Sequence, residues 1–219
     1  AGTARWPIDY DGVTGIWQSI WLEPLPAVSI ESTAYSYHVP GQALSYKAFL
    51  SEQVDGEVSI EVLDGDRVIA SDRVQTAGRA EIRTTLVIED PVLWSPEHPH
   101  LYVVRLTLLN HATGERDEAM SYTGLREVSV TNGQLCLNGA PLYLRGVLDQ
   151  GYFPEGWYTA PSDDDLRRDV ELTLAMGFNC ARKHQKAEDP RYLYWADKLG
   201  LMVWAEMPSG RVFSSELVE

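Results

Sequence analysis

The stretch that most constrains this chain runs from Leu142 to Ser209. It opens on an apolar strand, Leu142 to Val147, and passes through a loop rich in aromatics and glycine. A stripe of Leu166, Val170 and Leu174 marks a helix. A short strand (Phe178 to Arg182), a second helix (Pro190 to Leu199) and a third apolar strand (Leu201 to Trp204) follow. Parallel neighbours need a crossover between them, so this alternation predicts a parallel sheet with helices against one face. Polar residues gather just after each strand: Asp149 and Gln150, then Arg182, Lys183 and His184, then Glu206. In α/β folds ligands bind at that end of the strands. These residues are therefore the candidate site.

The helix limits are locally encoded. Ser162 is a good N-cap, and Asp163, Asp164 and Asp165 suit the positive end of the helix dipole. That role explains three adjacent carboxylates better than a calcium site does. Gly177 stops the first helix. Asp189 caps the second, Pro190 takes its first position and Gly200 closes it.

Upstream the pattern changes. From Val28 to about Tyr122 short segments alternate apolar and polar residues, as in Leu44, Tyr46, Ala48 and Leu50, and again in Val58, Ile60 and Val62. Asp64-Gly65 signals a hairpin into Arg67–Val74, and strands are expected over Ile82–Ile88 and Leu101–Leu109. Roughly seven strands in about a hundred residues suggest an immunoglobulin-like sandwich. Prolines on both sides of Val92-Leu93-Trp94 forbid a central strand and pin a corner over which Trp94 can pack. Asn132-Gly133 and Asn138-Gly139 are tight-turn signals leading into Leu142. Before all this, Gly15 to Leu22 has the composition of one further strand, broken by Pro24 and Pro26. His98, His100 and His111 lack spaced partners on one element, so a metal reading is set aside.

The formal charge is -14 over 219 residues. That argues against nucleic acid or an anionic membrane as partner, since both favour a basic face. No apolar run reaches transmembrane length, and Ala1 to Tyr10 lacks a signal-peptide core. Cys136 and Cys180 lie in strand-like runs and are expected to be free buried thiols.

Taken in order, several motifs resemble glycoside hydrolase family 2, the group of β-galactosidases, β-glucuronidases and β-mannosidases. They are Gly15-Ile16-Trp17 with Trp21-Leu22-Glu23, Leu93-Trp94-Ser95-Pro96, and Leu137-Asn138-Gly139 through Arg145-Gly146-Val147. Asp169 to Arg182, Pro190-Arg191 and Leu199-Gly200-Leu201 continue the series. The resemblance implies multidomain β plus α/β architecture. Residues 1–26 would end a jelly-roll sugar-binding domain, 27–127 would form the immunoglobulin-like β-sandwich, and 128–219 would open a (β/α)8 TIM barrel with its first three strands.

It further implies a retaining glycosidase acting on a β-linked carbohydrate substrate without a cofactor. One glutamate attacks the anomeric carbon, while a second protonates the leaving oxygen and then activates water. The family carries both on later barrel strands, expected beyond Glu219, so no catalytic residue is assigned here. The assigned substrate-binding residues are Arg182, Asp149, Gln150, His184 and Glu206. Arg182 falls on the arginine that ends the family's second strand and supports the nucleophile and sugar hydroxyls. An internal ion pair is compatible with that role.

Where many members read Asn-Arg-His-Glu, this chain has Leu148-Asp149-Gln150-Gly151. Lys183-His184-Gln185 replaces the expected Ser-His, and Gly210 stands where some β-galactosidases place a magnesium ligand. A galactose-type pocket and a magnesium requirement are both in question, and no metal is assigned. Trp157 and Tyr158 have the chemistry to stack on a sugar, with packing against neighbouring domains as the alternative. A homo-oligomer stays open, as does the compartment, with the cytoplasm favoured. The rival reading is a non-catalytic carbohydrate-binding or interaction module on the same scaffold.

Overall fold

A computed structural model describes residues 15–208. Seven antiparallel strands build a sandwich: β1 (Ile30–His38), β2 (Ala43–Val54), β3 (Gly56–Asp64), β4 (Arg67–Gln75), β5 (Arg79–Val87), β6 (Tyr102–Asn110) and β7 (Arg116–Thr123). One sheet has the order β1-β2-β5 and the other β4-β3-β6-β7. The alternation in sequence decides which side chains enter. Leu44, Tyr46 and Ala48 from β2 meet Val58, Ile60 and Val62 from β3 in one buried core. The tight connection from β3 to β4 pairs Asp64 with Arg67, and Gly65 adopts the positive φ that such a turn needs.

The corner after β5 reaches out of the sandwich. Trp94 is only 1% exposed, and its backbone N–H donates to Leu125 O. Its ring lies against Gly124, where an added Cβ would sit 3.0 Å from the indole. The Arg126 guanidinium covers the ring at 4.3 Å. Two tight turns follow. The strands β8 (Val128–Thr131), β9 (Gln134–Leu137) and β10 (Ala140–Pro141) form a small antiparallel sheet joined at Asn132-Gly133 and Asn138-Gly139. All four turn residues have positive φ, as a type I′ turn requires.

The last layer is parallel. β11 (Gly146–Asp149), β12 (Cys180–Lys183) and β13 (Met202–Ala205) pair in that order, with α1 (Asp163–Ala175) and α2 (Pro190–Leu199) as crossovers. Phe153, Leu166, Val170, Ala181, Tyr192 and Leu201 share one core, so both helices cover the same face of the sheet. Ser162 Oγ accepts from Asp165 N at 3.2 Å and Asp189 Oδ1 from Arg191 N at 2.9 Å, the expected caps. Cys136 and Cys180 are free and buried.

Three strand limits differ from expectation. The first parallel strand begins at Gly146 rather than Leu142, and the second at Cys180 rather than Phe178. Asn179 explains both. Its side chain accepts from Arg145 N at 2.7 Å and donates to Tyr143 O at 3.0 Å, taking the place of ladder bonds ahead of the strands. The third strand runs to Ala205. The strand expected over Gly15–Leu22 is not formed: residues 15–29 carry no ladder, and Ile20, Trp21 and Leu22 are exposed. A strand exists only where a neighbour accepts its backbone bonds, and none lies beside this segment among the described residues. The expectation for residues 1–14 lies outside the described residues, as does Gly210.

Trp94 also joins the sandwich to the parallel layer. Its Nε1–H donates to Asp197 O at 2.6 Å, at the end of α2. Arg126 pairs with the Asp197 carboxylate at 2.9 Å. Gly200, at φ +91°, lets the corner approach so closely that a Cβ would lie 2.3 Å from Pro96 O. Trp94→Ala is therefore expected to cost about 3–5 kcal/mol, as for other buried aromatics truncated to alanine. Urea unfolding would measure the loss, and a change below about 1 kcal/mol would remove Trp94 as the junction.

Candidate functional site

Strand alternation sorts the candidate residues onto two faces. Ala181 packs with the helices, so Lys183, two residues on, faces them as well, and Arg182 faces the open side. Register carries this across the sheet. Leu148, Arg182 and Trp204 stand in one row and Asp149, Lys183 and Ala205 in the next.

On the open side Arg182 Nε donates to Glu206 Oε1 in a short, charge-assisted contact. The other oxygen, Oε2, accepts from Gln185 N at 3.0 Å and meets His184 Nδ1 at 3.2 Å. The Arg182 carbon sits 5.6 Å from the Trp204 ring centre, and its side chain keeps 42% of its surface exposed. Arg182, followed by the Gln185 N–H, holds the Glu206 carboxyl below the usual glutamate range. Glu206 thus pairs with Arg182, and Lys183 takes no part in this contact.

Lys183 turns the other way, into a buried charge network. Its Nζ lies 2.6 Å from Asp149 Oδ2, 2.8 Å from Glu188 Oε2 and 3.8 Å from the centre of the Tyr192 ring. Lys186 Nζ meets Glu188 Oε1 at 3.0 Å and donates to Gly151 O at 2.8 Å and Tyr158 O at 3.0 Å. Lys183, Lys186 and Glu188 side chains are at most 3% exposed. Burial lowers the Lys186 pKa, against the pull of Glu188, and burial raises that of nearby Asp169, with the Asp149 charge adding to it.

Asp149 belongs to this network. Its Oδ1 accepts from Gly151 N at 2.7 Å and its backbone oxygen from His184 N at 2.8 Å. The geometry is that of a loop brace on the helix side of β11. Gly151 has to be glycine, since at φ +67° a Cβ would stand 2.6 Å from Glu188 Oε2 and 2.7 Å from Lys186 Nζ. Gln150, just after β11, is half-buried.

The structure thus brings Arg182, His184 and Glu206 together and places Asp149 behind them. Lys186 and Glu188 escaped the sequence reading. The only local trace is Lys183-x-x-Lys186-x-Glu188 directly after an apolar strand, a charge run of the kind that usually faces water. Among the described residues no group of three His, Cys, Asp or Glu side chains is placed to hold a metal.

Removing one member of a buried ion network strands its partners. Lys186→Met is expected to destabilise by about 3–5 kcal/mol in urea unfolding. A loss near zero would mean that water reaches Glu188. For Glu206 the sign follows from its depressed pKa: the Arg182 contact contributes stability above the ordinary carboxylate value, lost as pH falls through the lower folded value. Carboxyl-carbon NMR should find Glu206 titrating below the ordinary glutamate value. Arg182→Met should raise it, and identical titration in both proteins would break the assignment.

Comparison with known proteins follows the same division. Residues 43–126 match the family model for glycosyl hydrolases family 2, and residues 128–217 match that family's TIM barrel domain. Among curated relatives, the β-galactosidase of Pseudoalteromonas haloplanktis is 28% identical over 192 residues, covering 80% of this chain and 18% of that protein. The β-galactosidase of Thermoanaerobacter pseudethanolicus is 28% identical over 222 residues, covering 95% and 29%. The chain therefore spans under a third of the length of these relatives. In fold it is similar to the β-glucuronidase of Parabacteroides merdae, with a TM-score of 0.71 at 24% identity over 84% of this chain and 24% of that one. The β-D-glucuronidase of Dictyoglomus thermophilum gives 0.73 at 20% identity over 87% and 32%. With a sandwich followed by the opening of a TIM barrel, and both regions matched, the chain belongs to glycosyl hydrolase family 2.

Proposed function

We propose that this chain forms the sandwich scaffold and one wall of the substrate pocket in a retaining β-glycosidase. The observation that carries the reading is the row Arg182–Glu206–His184 on the open face, at the carboxyl end of parallel strands in a chain of this family. That end of a barrel is where substrates sit. Relatives named for β-linked galactose and glucuronic acid support the β-glycoside class.

The roles follow from the chemistry of the side chains. Arg182 presents fixed N–H donors to sugar hydroxyls or to a catalytic carboxylate, and its positive charge stabilises negative charge there. Glu206 fixes the guanidinium through one oxygen and orients His184 through the other. Gln150 stands at the rim with both a donor and an acceptor for a vicinal diol. Asp149 acts from behind, holding β11 and its loop to Lys183. The two glutamates of the double displacement are expected outside this chain. One forms a bond to the anomeric carbon as the glycosidic bond breaks and the other protonates the leaving oxygen. Water, deprotonated by the second, then releases the sugar.

A panel of nitrophenyl β-glycosides, offered to the full-length protein, tests this. Hydrolysis of at least one is expected, and hydrolysis of none would leave a carbohydrate-binding module on the same scaffold. On the substrate that is cleaved, Arg182→Ala should lower kcat/KM on the order of 10²-fold, the scale of losing one aimed donor. A loss under about threefold would remove Arg182 from the pocket.

A further inference from the structure

The turn after β12 divides its residues between the two sides of the sheet. Lys183 and Lys186 both reach into the network under the helices, and their side chains are at most 1% exposed. His184 and Gln185, between them, meet Glu206 on the open side. His184 Nδ1 lies 3.2 Å from Glu206 Oε2, and the Gln185 main-chain N–H donates to the same oxygen at 3.0 Å. Gln185 makes this bond from φ +53°, a left-handed conformation that residues other than glycine seldom adopt. Such a conformation persists only where the surroundings over-determine the chain.

Lys186 supplies that constraint. Its ammonium has three protons, and three oxygens receive them: Glu188 Oε1 at 3.0 Å, Gly151 O at 2.8 Å and Tyr158 O at 3.0 Å. With every proton used, the ammonium has one place to stand. The chain is fixed on the other side of Gln185 as well. His184 N–H donates to Asp149 O at 2.8 Å, and Lys183 is held by Asp149 and Glu188. Gln185 therefore spans two anchored positions, and closing the turn leaves its N–H facing Glu206.

The carboxylate carries this to the arginine. Its Oε2 is taken by the Gln185 N–H and His184, so Glu206 presents Oε1 to Arg182 and grips it through Nε. Held there, the guanidinium keeps its two terminal nitrogens for a ligand, and no hydrogen bond among the described residues occupies them. With Oε2 released, the carboxylate would be free to turn and take a terminal nitrogen too, in the bidentate pair that arginine and carboxylate favour. The turn thus decides whether Arg182 offers its donors outward or spends them on its own partner.

We propose that Lys186 is a positioning residue for Arg182: by closing the turn after β12 it aims the Gln185 N–H at Glu206, and the Glu206 carboxylate so held aims the guanidinium into the pocket. This rests on the reading of Arg182 as a pocket residue of a β-glycosidase.

A double-mutant cycle on the full-length protein tests it, read as kcat/KM on the nitrophenyl glycoside that wild type cleaves. Lys186→Met should lower kcat/KM about tenfold, inside the roughly 10²-fold loss expected for Arg182→Ala. In the Arg182→Ala background the same substitution should cost less than about twofold, because a residue that works through Arg182 has nothing left to aim. Losses that multiply, or no loss in either background, would overturn the proposal. Where Lys186→Met shows no thermal unfolding transition, Gln185→Pro replaces it in the cycle, removing the N–H and the left-handed φ together. Gln185→Gly keeps both and should lose less than Gln185→Pro, and equal losses would count against the aimed N–H.

Should wild type cleave no glycoside, the glycosidase reading fails, and carboxyl-carbon NMR decides the positioning separately. A carboxylate that loses a hydrogen-bond donor titrates higher. Glu206 should therefore titrate at higher pH in Lys186→Met and Gln185→Pro than in wild type, and unchanged titration refutes the proposal.

Discussion

Two lysine ammonium groups buried beside a parallel sheet are the constraint on which the functional half depends. Withdrawing an isolated charge from water costs several kcal/mol even after the protein relaxes. Lys183 and Lys186 are tolerated because Asp149 and Glu188 balance them, one carboxylate for each ammonium. Backbone oxygens of Gly151 and Tyr158 take the remaining Lys186 protons. Asp149, Gly151 and Tyr158 belong to the end of β11 and the loop after it, while Lys183, Lys186 and Glu188 belong to the end of β12 and the loop after that. Satisfying the charges therefore fixes the geometry of the connections after β11 and β12 together. An apolar core of equal volume would give comparable stability without specifying where those loops go.

The same alternation that buries Lys183 exposes Arg182. Adjacent residues of one strand meet opposite demands: one neutralises charge under the helices, the other offers charge on the open face. Glu206 then holds the Arg182 guanidinium, and that contact lowers the Glu206 pKa. Behind this layer Trp94 transmits the position of the sandwich to α2 through a hydrogen bond and a covering guanidinium. Arg182, His184 and Glu206 all lie outside the sandwich. It sets where the parallel layer stands.

Much of this was legible in the residues. Ser162, Asp189 with Pro190, and Gly200 mark helix ends because capping is a matter of a few bonds within one turn. The Asn-Gly turns and the alternation of β2, β3 and β6 are equally local. Arg182 and Glu206 were recognisable from their place at the ends of strands. Lys186 and Glu188 were passed over because charge beside a cap usually faces water. Asn179 was passed over because a side chain replacing ladder bonds leaves no periodic trace.

The sequence by itself determined element type, element order and the family's motif series, since propensity, capping and turn chemistry act over a few residues. Tertiary structure alone decided which charges are hidden and which are offered. Lys183 meets Asp149 across 34 positions and Trp94 meets Asp197 across 103. Contacts that distant exist only once strands are in register, so no local pattern announces them. The stretch from Gly15 to Leu22 shows the converse: it has a strand's composition, yet among the described residues no neighbour completes its hydrogen-bond ladder, and it is not a strand.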